Sequence, residues 1–187
     1  LEKDNLKKEN IPALKKGLVN LERHISNIKK FGLEPVVAIN HFVLDTNNEI
    51  KEIKKFCDNI GVQVSVSSHW ANGGKGAADL AKKVIKICKI SNKNNFKYLY
   101  TEKLSPWKKI EKIAKEIYRA KTVTAPTEVK NDLRKFELNG YGNLPVCIAK
   151  TQYSFSVDPK LKGAPQNHEI PIREVRLSSG ANFIVVV

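Results

Sequence analysis

Short apolar runs alternate with amphipathic helical patterns over residues 1–90, and this alternation constrains the fold more than any other feature. Apolar side chains recur every three or four positions across residues 11–31, which predicts a helix that Gly32 ends. The continuous apolar run at residues 35–39 is typical of a strand buried on both faces of a parallel sheet.

The same order repeats immediately. Thr46 and Glu49 form a T-x-x-E capping box, which predicts a helix over residues 47–60 with Gly61 at its end. A strand at residues 62–66, a loop at residues 67–76 and a helix at residues 77–88 follow. Strand–helix–strand–helix order at these lengths indicates parallel strands with right-handed crossovers. The inner face of the last helix is expected to comprise Leu80, Ala81, Val84 and Ile87.

The second half also reads as mixed α/β. Ser105 followed by Pro106 is a strong helix start, and Trp107 in that first turn is expected to pack structurally. The predicted linker is residues 91–95, the helices are 105–118 and 127–139, the strands are 96–100, 146–149, 170–177 and 183–187, and a long loop spans 151–168.

Composition narrows the class of protein. Hydrophobic residues make up 41% and charged residues 28%, as in globular proteins, and no apolar run approaches the roughly 20 residues that cross a bilayer. Three dispersed cysteines suit a reducing cytosol, and Cys57 and Cys88 are expected to be buried. The chain begins with Leu1, contains no methionine and ends on an apolar run, so we interpret it as a fragment.

The formal charge of +14 leaves two classes of ligand open. Clustered lysines and arginines would fit a nucleic-acid binder, whereas lysines spread over every segment equally fit small polyanions.

Two aromatic residues follow the first two predicted strands, at the strand ends where parallel sheets bind ligands. Phe42 follows the first strand and Trp70 the second, so together they could hold a flat ring system; alternatively, both are core residues. His41 and His69 stand at the same ends but lack supporting metal ligands in the sequence, which favours solvated or ligand-facing roles.

A glycine-rich run, residues 73–76, precedes the third helix. Gly73, Gly74 and Gly76 could let a ligand approach the backbone, or the run could be a plain flexible turn. It lacks the full phosphate-loop pattern G-x-x-x-x-G-K-[ST].

Five segments together resemble formate–tetrahydrofolate ligase (formyltetrahydrofolate synthetase), in order and over nearly the whole chain. They are LVNLERH (18–24), VVAINHF (36–42), WANGGKG (70–76), GYGNLPVCIAKTQYS (140–154) and IREVRLS (172–178). The resemblance implies an α/β fold in which residues 1–90 are the C-terminal half of a doubly wound, parallel-sheet nucleotide- and folate-binding domain. Residues 91–187 would form a smaller, C-terminally incomplete α/β domain.

The resemblance also implies a function. The family uses ATP to activate formate as formyl phosphate and transfers the formyl group to tetrahydrofolate, in one-carbon metabolism. Phe42 and Trp70 would stack on the folate, and Gly73, Gly74 and Gly76 would line the ligand pocket. Magnesium, a monovalent cation, a cytoplasmic homotetramer and no membrane or nucleic-acid partner are implied in the same way.

Some features depart from the family. Its phosphate loop lies upstream of the matching segments, so this chain alone is expected to be inactive. His41 stands where the family usually has arginine, and the loss of that positive charge argues against an anion contact there. Lys75 stands where the family often has an acidic residue, so it receives no catalytic role. Two alternatives remain: a non-catalytic module that binds folate or a protein, and, less favoured, a basic nucleic-acid-binding protein.

Overall fold

The computed structural model describes residues 8–90, 95–149, 151 and 153–187. The chain divides into two compact units, Leu1–Lys97 and Tyr98–Val187. Both units mix helices with short strands, so the fold is α/β, with small sheets that contain parallel pairs. None of the helices within the described ranges is long and apolar enough to cross a membrane.

The first unit is a two-stranded parallel sheet with its helices. Its elements are α1 (Ile11–Lys29), β1 (Val36–Asn40), α2 (Asn47–Asn59), β2 (Gln63–Ser67), α3 (His69–Asn72), a 3₁₀ turn (Gly73–Ala77) and α4 (Ala78–Ile90). The strands β1 and β2 pair in parallel, as the sequence predicts. Helix α1 packs on α2, α2 contacts β2, and α4 contacts both strands.

Local signals place the helix ends of this unit. The Thr46–Glu49 capping box is present at the start of α2, and Asn10 caps α1 by accepting a hydrogen bond from the Ala13 amide. Gly32 has a φ of +72°, a conformation that ends a helix at little cost only for glycine.

Burial in the first unit differs from the prediction in two places. Ala38 and Asn40 are exposed, so the expectation that β1 is buried on both faces is wrong for the described chain. On α4, Ala81, Val84 and Cys88 are exposed, which corrects the predicted inner face and the predicted burial of Cys88. The cause is the narrow sheet, because two strands cannot cover a whole helix face. Cys57 is buried, as predicted.

The predicted strand at residues 96–100 is wrong. These residues form no strand, and the segment is instead joined to the end of α1, where the Lys97 amide donates to the Phe31 carbonyl at 2.9 Å. The rings of Phe31 and Phe96 also stack, with centroids 6.4 Å apart. Most of the expected linker, residues 91–94, lies outside the described residues.

The second unit contains two small sheets around one hydrophobic core. Its elements are α5 (Pro106–Glu116), β3 (Thr122–Thr124), α6 (Thr127–Phe136), a π-type turn (Glu137–Tyr141), β4 (Val146–Ile148), β5 (Glu169–Pro171), β6 (Val175–Ser178), a 3₁₀ turn (Ser179–Ala181) and β7 (Phe183–Val186). Strands β3 and β5 pair in parallel, and the other sheet has the order β4-β7-β6, with β6 antiparallel to β7.

Two predictions for this unit need correction. The single strand expected at residues 170–177 is two strands in different sheets, separated where the Ile172 amide bonds the Thr124 carbonyl and the Arg173 amide bonds the Val187 carbonyl. The short strand β3 was not predicted. The helix start at Ser105–Pro106 and the stop at Gly140, which has a φ of +86°, match the prediction.

Candidate functional site

The ends of β1 and β2 are held together by one serine. Asn40 and Ser67 are register partners at the last positions of the two strands, and the amide of His41 donates to the Ser67 carbonyl at 2.9 Å. The Ser67 side chain is only 2% exposed. The two chain segments therefore leave the sheet side by side, fixed by a buried residue.

Phe42 lies on a closed turn just beyond β1. Its amide donates to the Asp45 carboxylate at 2.8 Å, and the Asp45 amide donates back to the Phe42 carbonyl at 3.1 Å. The turn leads into the capping box of α2, where amides of Asn10 and Thr46 donate to Glu49 and hold the pKa of its carboxyl below the ordinary value. These bonds fix the backbone at Phe42, and the residue is 53% exposed.

Trp70 lies on α3, which is locked to the glycine loop. The amides of Ala71 and Asn72 donate to the Ser68 carbonyl, and the Ser68 amide donates to the Gly76 carbonyl at 3.1 Å. The Asn72 side-chain amide also donates to the Ser68 hydroxyl at 3.0 Å. Trp70 itself is 68% exposed, so its position comes from the backbone around it.

Gly76 is the glycine of this loop that packing requires. A Cβ atom there would lie 2.5 Å from the Ser68 carbonyl carbon and 2.7 Å from the His69 nitrogen, closer than real Cβ contacts. Gly73 and Gly74 face open space, although the φ of +57° at Gly73 also favours glycine. The run forms a 3₁₀ turn that is bonded to Ser68 through the Gly76 carbonyl.

A partly buried polar contact attaches α4 to β2. The hydroxyl of Ser65, which is 1% exposed, donates to the Asp79 carboxylate at 2.5 Å. Lys83 donates to the same carboxylate at 2.7 Å and to the Val64 carbonyl at 2.8 Å. Hydrogen bonds from Lys83 and then Ser65 lower the pKa of the Asp79 carboxyl below its ordinary value.

The histidines at the strand ends differ from each other. The imidazole Nδ1 of His69 lies 2.8 Å from the Ser67 hydroxyl, whereas His41 joins the site through its backbone amide. Among the residues described, no group of three or more His, Cys, Asp or Glu side chains could hold a metal ion.

Sequence reasoning missed the buried residues that hold this site. The pattern Val64-Ser65-Val66-Ser67 alternates, and alternation is normally read with the polar side chains in solvent. In the structure the two serines are the buried pair and the valines are half-buried. The signal that could have revealed these buried residues was the presence of serine hydroxyls at the carboxyl end of a strand in an α/β fold.

Trp107 has the structural role predicted for it, in the second unit. It is half-buried against the hydrophobic core, its Nε1 donates to Glu111 at 3.1 Å, and the Lys130 ammonium lies 5.4 Å from its ring centroid.

A buried lysine supports the segment that follows Gly140. Lys109 is 0% exposed, and its Nζ donates to the carbonyls of Gly142 at 2.8 Å and Leu144 at 3.0 Å. Burial is the main cause that lowers its pKa. The Tyr100 hydroxyl accepts from the Val146 amide at 3.0 Å nearby. Lys150 and Gln152 of the same motif lie outside the described residues.

Comparison with known proteins supplies the family. A family model described as formate–tetrahydrofolate ligase matches residues 1–187. Similar curated proteins bear that name in Pelagibacter ubique (60% identity over 185 residues), Ruegeria pomeroyi (51% over 185) and Sinorhizobium fredii (49% over 187). The matches cover 99–100% of this chain but 33% of each relative, so the chain spans about one third of their length. Because the match extends along the whole chain, the protein belongs to the formate–tetrahydrofolate ligase family.

Proposed function

We propose that this chain forms the tetrahydrofolate-facing wall of an ATP-dependent ligase that formylates tetrahydrofolate through formyl phosphate. The observation that carries the proposal is the exposure of Phe42 and Trp70 at the ends of two paired parallel strands. The names of the relatives supply the substrates.

The aromatic pair has the properties that a flat ring requires. Both side chains are more than half exposed in this chain, which supports a contact with a ligand over a place in its core. Both backbones are fixed by the contacts that converge on Ser67 and Ser68. Rigid, exposed aromatics lose little conformational entropy when they stack, and this favours recognition of a planar ligand over simple surface exposure.

The glycine loop contributes backbone rather than side chains. Gly73 and Gly74 have open space beside them, so a ligand could approach their peptide groups closely. The Gly76 carbonyl bonds the Ser68 amide and so holds the loop against α3, the helix that carries Trp70. The loop and the aromatic pair would thus form one continuous pocket wall.

The remaining parts of the active site would come from the other two thirds of a relative's length. Residues 1–90 would then be half of a doubly wound nucleotide- and folate-binding domain, and residues 91–187 would be part of a smaller domain. We propose ATP with magnesium, a monovalent cation and a cytoplasmic homotetramer for the complete enzyme, on the resemblance alone.

The chemistry has a clear physical logic. Hydroxide is a poor leaving group from formate, and phosphorylation converts it into phosphate, which leaves readily. The folate amine then attacks the formyl carbon, the bond from carbon to the phosphate oxygen breaks, and the amine proton is lost. Donors directed at the developing negative charge would lower this barrier, and folate stacking would hold the amine in line.

Activity measurements test the proposal. We define the full-length ligase as the protein in which these 187 residues occupy the segment they match in the relatives. It should convert tetrahydrofolate only when ATP and formate are both present, and the 187-residue chain alone should show no turnover. Phe42→Ala should raise the KM for tetrahydrofolate and leave formate-dependent phosphate exchange unchanged. Turnover by the chain alone, or a Phe42→Ala enzyme with an unchanged KM, would contradict the proposal.

A further inference from the structure

His69 is a polar group beside Trp70 to which the stacking model assigns no role. Its imidazole is exposed, yet its Nδ1 is held 2.8 Å from the hydroxyl of Ser67. An exposed histidine is normally free to rotate, so a contact with a buried residue defines which way this ring faces.

The hydrogen-bond pattern assigns the tautomer of His69. Ser67 is 2% exposed. Among the described residues, His69 Nδ1 is the acceptor that lies within reach of its hydroxyl hydrogen. If Nδ1 carried the proton, that buried hydroxyl hydrogen would lose its acceptor, which costs about 1–3 kcal/mol. A neutral ring that accepts from the Ser67 hydroxyl at Nδ1 carries its proton on Nε2.

This tautomer determines what the site offers a ligand. The two nitrogens of an imidazole point to opposite sides of the ring, so Nε2–H faces away from buried Ser67 and toward solvent. His69 and Trp70 are consecutive on α3, whose backbone is fixed by Ser68 and Gly76. A ligand that stacks on Trp70 and extends over the start of α3 would meet this hydrogen-bond donor one residue away in the chain.

We propose that His69 is a substrate-contacting residue whose Nε2–H donates to an acceptor on the edge of the ring stacked on Trp70, and that Ser67 is its positioning residue. A pterin ring, with a carbonyl oxygen and ring nitrogens on its edge, has suitable acceptors. The proposal rests on the function proposed above and adds a directional contact, which would set the orientation of the ring that stacking alone leaves free.

The test is calorimetric binding of tetrahydrofolate to the full-length ligase without nucleotide. His69→Ala should weaken binding roughly three- to tenfold, as expected for one neutral hydrogen bond. His69→Gln should retain most of the affinity, because its amide can accept from Ser67 and donate outward. Gln63→Ala, at the exposed opposite end of β2, is the matched control and should bind normally.

A double-mutant cycle separates positioning from simple stability. Ser67→Ala should weaken binding when His69 is present, but add nothing to His69→Ala, because it acts through the imidazole. Formate-dependent phosphate exchange should stay at the parent rate in Gln63→Ala, the matched control.

The outcomes are distinguishable. If His69→Ala binds tetrahydrofolate like the parent while Trp70→Ala binds it weakly, the role of His69 is refuted and the stacking function stands. If His69→Ala impairs only the phosphate exchange, the donor faces another substrate and the proposal is equally refuted. If the parent does not bind tetrahydrofolate, or Trp70→Ala binds it unchanged, the proposed function fails and the role of His69 fails with it.

Discussion

Replacing Trp70 with alanine in the full-length ligase should weaken tetrahydrofolate binding by about 2 kcal/mol. The indole is 68% exposed, which leaves about 170 Å² of a roughly 250 Å² side chain for a ligand to cover. A ring stacked on one face would cover about half of that, and about 85 Å² at 25 cal/mol per Å² gives about 2 kcal/mol. Measured stacking on protein aromatics, roughly 1–3 kcal/mol per base, agrees with this magnitude.

Trp107 provides the matched comparison within the same chain. It packs against the core of the second unit, and it gives its Nε1 hydrogen to Glu111. Removing it should cost stability, about 2–3 kcal/mol for a half-buried tryptophan, because a cavity remains. That loss should lower the melting temperature of the full-length ligase.

Two measurements on both variants decide the matter. Titration calorimetry should show weakened tetrahydrofolate binding in Trp70→Ala alone, and scanning calorimetry should show a lowered melting temperature chiefly in Trp107→Ala. Formate-dependent phosphate exchange should survive in Trp70→Ala. Equal tetrahydrofolate affinity in folded Trp70→Ala and the parent would refute the stacking role, and a large loss of stability in Trp70→Ala would show that its exposure had been misread.

Three further expectations concern the glycine loop, the buried Lys109 and the affinity for DNA. Gly76→Ala should lower the free energy of unfolding in urea by about 1–3 kcal/mol, because its Cβ would lie 2.5 Å from Ser68. Gly74→Ala, with open space around it, should leave that free energy unchanged. Equal losses of stability in the two variants would contradict this expectation. Because the pKa of Lys109 is lowered, the unfolded chain binds that proton more tightly, so the free energy of unfolding should rise with pH between the lowered pKa and the ordinary lysine value. Lys109→Met should remove that rise and exposed Lys108→Met should not; a rise that persists without Lys109 would refute the assignment. Duplex DNA should bind only at roughly 10⁻⁴–10⁻⁶ M at physiological salt, and tight sequence-selective binding in a titration would favour the nucleic-acid alternative.

The sequence was most informative where a few neighbouring residues decide the structure. The capping box of α2, the Ser105–Pro106 helix start and the glycine that ends α1 act within one turn, so pattern reading located them. The parallel pairing of β1 with β2 followed from the order of elements rather than from any pair of residues.

The sequence failed where distant contacts decide. Residues 96–100 have a strand-like composition but bond to the end of α1, and nothing within five residues reveals that partner. Residues 170–177 read as one strand, yet backbone bonds to Thr124 and Val187 divide them between two sheets. Both errors reflect the dependence of strand formation on a partner that lies far away in the chain.

The candidate site was predicted in its exposed members and missed in its buried ones, and this division has a physical origin. Phe42 and Trp70 are recognisable because each follows a predicted strand at the end where parallel sheets bind ligands, and each is placed by backbone bonds without burying its own ring. Ser67 attracts no attention as a residue type, yet its carbonyl holds the segment that carries Phe42 and its hydroxyl orients His69, beside Trp70. Substitution of an exposed aromatic should therefore affect ligand binding with little loss of stability, whereas Ser67→Ala keeps the carbonyl that holds the Phe42 segment and removes only the hydroxyl that orients His69. Tolerance to substitution in this pocket should follow the side-chain contacts that a substitution removes, because the backbone bonds at Ser67 and Ser68 remain in any variant that keeps the local fold.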